Sequence, residues 1–313
     1  MVRKLKASQA CPTLTKDAIS QLPNDLTCQI LSLLSTKEAV KTSVLSTRWR
    51  HLWLSLPCLE LKSREFLDLK NFTKYIEFPN EATFETLVLC SPVLECLKIV
   101  VASDDEKVFR VHSRSLKRLT FERVSPFLFD SAGFFDDIYE VIVSSKISFI
   151  HKFLHGISMA RSMKICRGTL KIMCHYSKLE PFPQFSSMSY LDITLYPRDF
   201  KWLPAFLESF PNLKYLALVM VCDDRKGGFS EDIDQVSFSS VPECLLSSLE
   251  FVELIAPVQY DVELKLVKYL LKNSAVLEKL ILRLASYNSR RDYMLKKLLK
   301  IPRVSTKCKV VIL

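Results

Sequence analysis

One short pattern recurs too often in this chain to leave many folds open: apolar residues at the first, fourth and sixth positions of a six-residue frame. Clear copies are Leu94-Leu97-Ile99, Leu116-Leu119-Phe121, Met188-Leu191-Ile193, Leu213-Leu216-Leu218, Leu249-Val252-Leu254 and Leu277-Leu280-Leu282. Weaker copies fit at Ile138-Val141-Val143 and Ala160-Met163-Ile165. The last two positions stand two residues apart, the period at which strand side chains return to one face, so each copy predicts one short strand with one apolar face. First positions 94, 116, 138, 160, 188, 213, 249 and 277 are separated by 22, 22, 22, 28, 25, 36 and 28 residues. At this spacing each unit supplies a strand and a return segment, and its apolar face is covered only by the next copy. The expectation is a stack of strands in chain order.

Several returns read as helices. Stretches 83–89, 202–209 and 262–271 keep helical spacing, the last through Leu264, Val267, Leu270 and Leu271. The final section reads as strand (249–255), helix, strand (277–284), helix (292–300) stopped by Pro302, and a last strand over 308–313. Such a unit can close the end of the stack, which a repeat array needs for solubility.

Ahead of the frames, residues 17–57 (DAISQLPNDLTCQILSLLSTKEAVKTSVLSTRWRHLWLSLP) carry a different period. Pro23 suits the first turn of a helix, where a missing N–H is harmless, and Asp25 sits near the positive end of the helix dipole. Leu26, Ile30, Leu33 and Leu34 follow on one apolar stripe. Ser35 and Glu38 form a capping box for a second helix, in which Ala39, Val40 and Val44 are apolar. A third can start at Ser46, with Trp49, Leu52 and Trp53 on one side and Arg48 and Arg50 elsewhere. Three such short helices bury little surface by themselves. Leu22, Ile30, Leu34, Val44, Trp49 and Trp53 exceed what a private core needs, so a partner is the natural cover.

The succession Leu-Pro, Thr-Lys-x-Ala-Val and Val-Leu-Ser-x-Arg-Trp-Arg-x-Leu-Trp within this segment resembles an F-box. The resemblance implies docking on a Skp-type adaptor and, through it, on cullin and RING subunits. It assigns adaptor binding to Leu22, Pro23, Leu26, Ile30, Leu34, Val44, Leu45, Trp49 and Trp53. Asn24 stands where the family usually has an acidic residue, and Thr27 where it commonly has leucine. Segments 245–284 and 295–313 are similar to the FBD region that closes many plant F-box proteins with leucine-rich repeats, and the frame spacing lies mostly in the range of such repeats.

The fold class expected from pattern and resemblance together is α+β or α/β. A three-helix F-box precedes an irregular leucine-rich-repeat solenoid with a C-terminal FBD cap. The expected organisation is a basic flexible tail (1–16), the F-box (17–60), a linker (61–80), the repeat region (81–240) and the FBD region with its terminal cap (241–313). Family members usually carry further repeats before a segment like 84–99, whereas here only the stretch 60–80 intervenes. The chain therefore reads as shortened there, with few contacts expected across the boundary at residue 60.

The resemblance makes the chain a non-catalytic substrate-recognition subunit of an SCF-type (Skp-cullin-F-box) ubiquitin ligase that presents a protein target for ubiquitination. The alternative is an interaction protein whose shortened body sequesters the adaptor without presenting a target. Which protein is bound is not legible. The candidate surface lies between frame positions, at residues such as Thr120, Asp192, Thr194, Lys214, Tyr215 and Glu253.

Chemistry-bearing motifs are otherwise sparse. Five glycines make neither a phosphate loop nor a dinucleotide fingerprint, so no cofactor is expected. His151 and His155 could share a helix face, but no third metal ligand stands close in sequence, and packing is the favoured reading. Asp104-Asp105-Glu106 and Asp136-Asp137 read as solvated loop carboxylates. Ten cysteines without close pairs, no secretory leader and no membrane-length apolar run point to a reducing interior, nucleus or cytoplasm, with the thiols mostly buried. Asn71-Phe72-Thr73 is then an accidental sequon. Net charge is +10, and from Arg283 onward nine basic residues face one acidic residue, Asp292. A solvated helix face, with Lys296, Lys297 and Lys300 beside Leu295, Leu298 and Leu299, is favoured over a nucleic-acid footprint.

Overall fold

The structure, a computed structural model, describes residues 21–62, 93–102, 115–124, 136–221, 238, 240–256, 260–284, 296–298 and 300–313. Among the described residues nine strands, β1 (Cys58–Lys62), β2 (Cys96–Ala102), β3 (Arg118–Val124), β4 (Ser162–Ile165), β5 (Tyr190–Leu195), β6 (Tyr215–Met220), β7 (Phe251–Ala256), β8 (Lys279–Leu284) and β9 (Lys309–Ile312), make one sheet in chain order. Every pairing is parallel. Parallel neighbours cannot be joined by a hairpin, so each junction needs a crossover segment, which the unit length supplies.

The frames lie in register. Leu97 opposes Leu119, Leu119 opposes Met163, Met163 opposes Leu191, Leu191 opposes Leu216, Leu216 opposes Val252, and Val252 opposes Leu280. The sixth positions stack likewise, from Ile99 through Phe121, Ile165, Ile193, Leu218 and Leu254 to Leu282. Nearly all these side chains are fully buried in one continuous core. One backbone carbonyl per unit locks the register: Pro57 O accepts from the Glu95 and Cys96 N–H groups. The same double acceptance repeats at Glu95, Lys117, Arg161, Ser189, Lys214 and Glu250.

The returns on the core side are unequal. α3 (Asp136–Gly156) is long, and α4 (Arg167–Tyr176) packs against it. A 3-10 turn at Pro197–Lys201 leads to α5 (Leu203–Leu207), followed by α6 (Glu243–Ser247) and α7 (Tyr260–Asn273). Aromatic residues fill the space under β5 and β6: Phe185 stacks on Phe210 at 4.9 Å, and Trp202 on Phe206 at 4.5 Å. The expected helix over 262–271 lies within α7, which buries Leu266, Val267, Leu270 and Leu271. Stretch 83–89 lies outside the described residues, and of 292–300 the described helical residues are 296–298, with Leu298 buried.

Five readings need correction. The weak copy at Ile138-Val141-Val143 is no strand but part of α3, where the same hydrophobics serve a helical period; Asp136-Asp137 opens this helix and is not a loop. Conversely, Leu56-Leu59-Leu61 is a frame copy that the N-terminal reading absorbed. It forms β1, and Leu59 and Leu61 oppose Leu97 and Ile99. The boundary at residue 60 is therefore crossed by a full strand pairing, and the backbone N–H of Glu60 donates to Thr36 Oγ1 at 2.8 Å, tying β1 to the helical cluster. Finally, of the described thiols only Cys244 and Cys308 are buried, and Cys58 is exposed, because several cysteines lie on the open face or the returns.

Candidate functional site

The N-terminal cluster comprises α1 (Asn24–Ser32), α2 (Thr36–Lys41) and two 3-10 segments, Thr42–Val44 and Trp49–Ser55. The third helix expected from Ser46 is the second of these. α1 starts after Pro23, whose carbonyl accepts both the N–H of Thr27 at 3.1 Å and its hydroxyl at 3.0 Å. Thr27 and Leu31 are the buried residues of α1, so Thr27 sits against the cluster, and its hydroxyl spends its hydrogen bond on the helix start. The capping box of α2 forms as read: Ser35 N–H donates to Glu38 Oε2 at 3.0 Å, and Glu38 N–H to Ser35 Oγ at 3.3 Å. The Ser35 hydroxyl and backbone hold the Glu38 carboxyl below its usual range. Arg48 ties the two ends of the cluster together, donating to the Leu22 carbonyl and, at 2.8 Å, to Asn24 Oδ1.

Packing inside the cluster divides the expected adaptor residues in two. Trp53 is fully buried and donates its indole N–H to the Arg50 carbonyl at 3.1 Å; Trp49 is buried beside it. These two tryptophans are core residues here, since a 3-10 turn followed by β1 folds them inward. The rest are at or near the surface. Leu22 is half-buried and Pro23 exposed, while Leu26 is 46%, Ile30 44%, Leu33 85%, Leu34 38%, Val44 61% and Leu45 63% exposed. The stripe read as one apolar face of α1 thus points away from the cluster. Leu33 has the greatest exposure of the group and was read as part of the stripe without being assigned to the partner. Six large aliphatic groups are thus left open within one short segment, more than scattered single exposures on a surface.

A second surface is the open face of the sheet, opposite the core. Residues at the third, fifth and seventh frame positions line it in rows, because alternate side chains point to opposite faces. The row from β1 runs Cys58, Cys96, Arg118, Ser162, Tyr190, Tyr215, Phe251, Lys279, Lys309. The Cys58 thiol pKa is pushed up to about 11, first by the protein packed around its sulfur, although the residue as a whole is exposed, and next by its hydrogen bond with Cys96; it lies beside Arg118, whose Nε donates to Cys96 Sγ at 3.1 Å. In the adjacent row Lys98 bridges Glu60 (3.1 Å) and Glu122 (3.2 Å), and Lys164 pairs with Asp192 at 3.2 Å. Tyr190 stacks on Tyr215 at 4.9 Å and Tyr215 on Phe251 at 6.2 Å. The Tyr215 hydroxyl donates to Glu253 Oε2 at 2.6 Å, and Glu253 also accepts from Arg283. Those two bonds, the phenol's first, hold the Glu253 carboxyl below its usual range, while burial and then the same carboxylate push the Tyr215 phenol up.

The residues weighed as chemical groups are occupied otherwise. His151 Nδ1 lies 2.8 Å from the Tyr176 hydroxyl, and His155 Nδ1 lies 2.9 Å from the His151 carbonyl. Among the described residues no three potential ligands converge on a metal site, and no helix is long and apolar enough to cross a membrane.

At the far end, the ring of Phe238 stacks on Tyr269 at 4.1 Å, and the Tyr269 hydroxyl donates to the Ser240 carbonyl at 2.7 Å, which ties the stretch before α6 to α7. β9 completes the sheet beyond β8, helped by the buried Ser305 hydroxyl donating to the Leu277 carbonyl at 2.6 Å.

Comparison with known proteins fits both ends of this description. The F-box domain model matches residues 19–61 and the FBD model residues 235–282. An F-box/FBD/LRR-repeat protein of Arabidopsis thaliana is 42% identical over 348 residues, covering 94% of this chain and 85% of the relative. A second protein so designated from the same plant is 35% identical over 436 residues, covering 96% of this chain and 98% of its own. A third, an FBD-associated F-box protein, is 34% identical over 433 residues, covering 94% and 99%. Alignments longer than the 313 residues of this chain mean that the relatives carry segments without a counterpart here. With an F-box model on the helical cluster, an FBD model on β7, α7 and β8, and full-length relatives above 30% identity, the chain belongs to the F-box/FBD/LRR-repeat family.

Proposed function

We propose that this chain is a non-catalytic substrate receptor of an SCF-type ubiquitin ligase. The helical cluster, a compact three-helix F-box whose last helix is a 3-10 turn, docks on a Skp-type adaptor and through it on cullin and RING subunits. The nine-stranded sheet, a leucine-rich-repeat solenoid closed by the FBD region, carries the target surface. One observation carries the reading: Leu26, Ile30, Leu33, Leu34, Val44 and Leu45 stay exposed beside a cluster whose tryptophans are already packed. Adaptor contact falls to these six with Leu22 and Pro23, and Trp49 and Trp53 support it from beneath. The test is capture of a purified Skp-type adaptor by the full chain. Capture should be lost in a Leu26→Ser, Ile30→Ser double variant that keeps the wild-type melting curve; undiminished capture overturns the assignment.

A second reading has an observation of its own. The relatives extend over segments this chain lacks, so its receptor surface is smaller than theirs. If it then holds the adaptor without a target, overexpression should lower ubiquitination by other receptors sharing that adaptor and create no new ubiquitinated species.

A further inference from the structure

We infer that the open face of β5 to β9 is a docking strip for an extended acidic peptide with aromatic or other apolar residues at one end. This rests on the receptor reading above and gives the target surface a chemistry. The strip is one row of the sheet: Tyr190, Tyr215, Phe251, Lys279 and Lys309 sit on five successive strands in register. Three rings in a continuous stack form an apolar platform, with Tyr190 exposed at its outer end. The platform is preorganised, because the Tyr215 hydroxyl is held by Glu253 and Glu253 by Arg283. Fixed aromatic rings give contact area with little loss of conformational freedom, a property of recognition surfaces.

Charge decides the rest of the occupant. Elsewhere on this face the described cations are already engaged: Lys62 and Lys98 with Glu60, Lys98 also with Glu122, Arg118 with Cys96, Lys164 with Asp192, Arg283 with Glu253. Lys279 is half-buried and Lys309 exposed, and neither has a carboxylate within salt-bridge distance among the described residues. Two free ammonium groups at the end of an aromatic row complement two carboxylates. With neighbouring strands about 4.8 Å apart, the row spans about 19 Å, the reach of about six extended residues. A single-stranded nucleic acid would also stack on the rings, but its phosphates would run past Asp192 and Glu253, so the carboxylate peptide is favoured.

The experiment is fluorescence anisotropy with the full chain and labelled probes: an eight-residue peptide with Phe-Tyr at one end and Asp-Glu-Asp at the other, its Asn-Gln-Asn counterpart, and an oligothymidylate. The acidic peptide should bind at least about tenfold tighter than its amide counterpart. Lys279→Glu with Lys309→Glu, both outside the core and checked for a wild-type melting curve, should erase that preference, and Tyr190→Ala should weaken both peptides. Equal binding of acid and amide peptides, a preference surviving the lysine reversals, or tighter binding of the oligothymidylate overturns the proposal. Adaptor capture by the same variants is measured in parallel. Lost acid preference with intact capture refutes the strip alone, whereas an absent adaptor interaction refutes the receptor reading whatever the peptides do.

Discussion

The helical cluster and the sheet solve the burial problem in opposite ways. In the sheet, each frame residue that could be exposed is covered by the next unit, so apolar side chains in the interior strands are sealed by the chain itself. In the cluster, Leu31, Ala39, Val40, Trp49 and Trp53 join the same continuous core, and six large aliphatic side chains remain outside. A repeat array can be extended until its surface is satisfied, while a segment this short cannot bury enough to stand alone. The sheet covers its frame rows with its own neighbouring units, while the cluster leaves Leu26, Ile30, Leu33, Leu34, Val44 and Leu45 open.

The strongest way to break this contrast is at the ends of the sheet. Removing residues 277–313 strips β8 and β9 from β7 and uncovers Val252 and Leu254, and the truncated chain should aggregate in sedimentation. Removing residues 1–62 strips β1 from β2 and should do the same, because the helical cluster and the sheet share that strand. A soluble product with native hydrogen-exchange protection in either case would mean the units do not depend on their neighbours.

Next in size, Trp53→Ala should destabilise the cluster by about 3 to 5 kcal/mol, the range for emptying a buried aromatic site. Chemical denaturation followed by tryptophan-independent exchange at α1 and α2 reads it. An unchanged cluster would place Trp53 on the surface and return it to the adaptor.

Val44→Ala with Leu45→Ala should give the mirror image: stability within about 0.5 kcal/mol of wild type, but adaptor affinity lower by about 2 kcal/mol, roughly thirtyfold in Kd. Calorimetric titration with the adaptor measures it, and equal affinity would remove these two from the interface.

The smallest effect concerns the open face. The folded Glu253 carboxyl titrates below its ordinary value, so it stabilises the sheet above that ordinary value, near pH 4.5, and the contribution disappears as pH falls through the lowered one. Tyr215→Phe removes the leading hydrogen bond and should cost about 1 kcal/mol at neutral pH. It should also flatten this acid limb of the stability curve. A limb of wild-type depth in the variant would assign it to other carboxylates.

Much of this was legible because the sheet's core rows are the frames themselves: Leu97, Leu119, Met163, Leu191, Leu216, Val252 and Leu280 were read from spacing and lie in one register. Periodicity failed where two periods coexist. Ile138, Val141 and Val143 satisfy a strand frame and also fall within a helix of 21 residues, and length decides for the helix. It was overlooked where the apolar signal had already been assigned, at Leu56-Leu59-Leu61. In the cluster, of the apolar residues taken as surplus to a private core, Ile30, Leu34 and Val44 are exposed and Leu22 is half-buried, whereas Trp49 and Trp53 are buried. Which of them face outward could not be read, because a 3-10 turn at Trp49–Ser55 rotates the tryptophans inward in a way that a helical wheel does not anticipate. The pairing of Tyr215 with Glu253 joins residues 38 apart in sequence, and only the register brings them together.

The column of carbonyls from Pro57 to Glu250 has a consequence for how such genes change. Each carbonyl fixes the start of the following strand by receiving two N–H groups, and it does so whether the acceptors stand 22 residues apart, as Glu95 and Lys117 do, or 36, as Lys214 and Glu250 do. Alignment between neighbours is thus independent of what is threaded between them. Excision of whole units, strand start to strand start, brings a new pair of N–H groups to the same acceptor and leaves the lattice intact. The length of the sheet is therefore free to vary by whole units, since each pairing depends only on its two neighbouring strand starts.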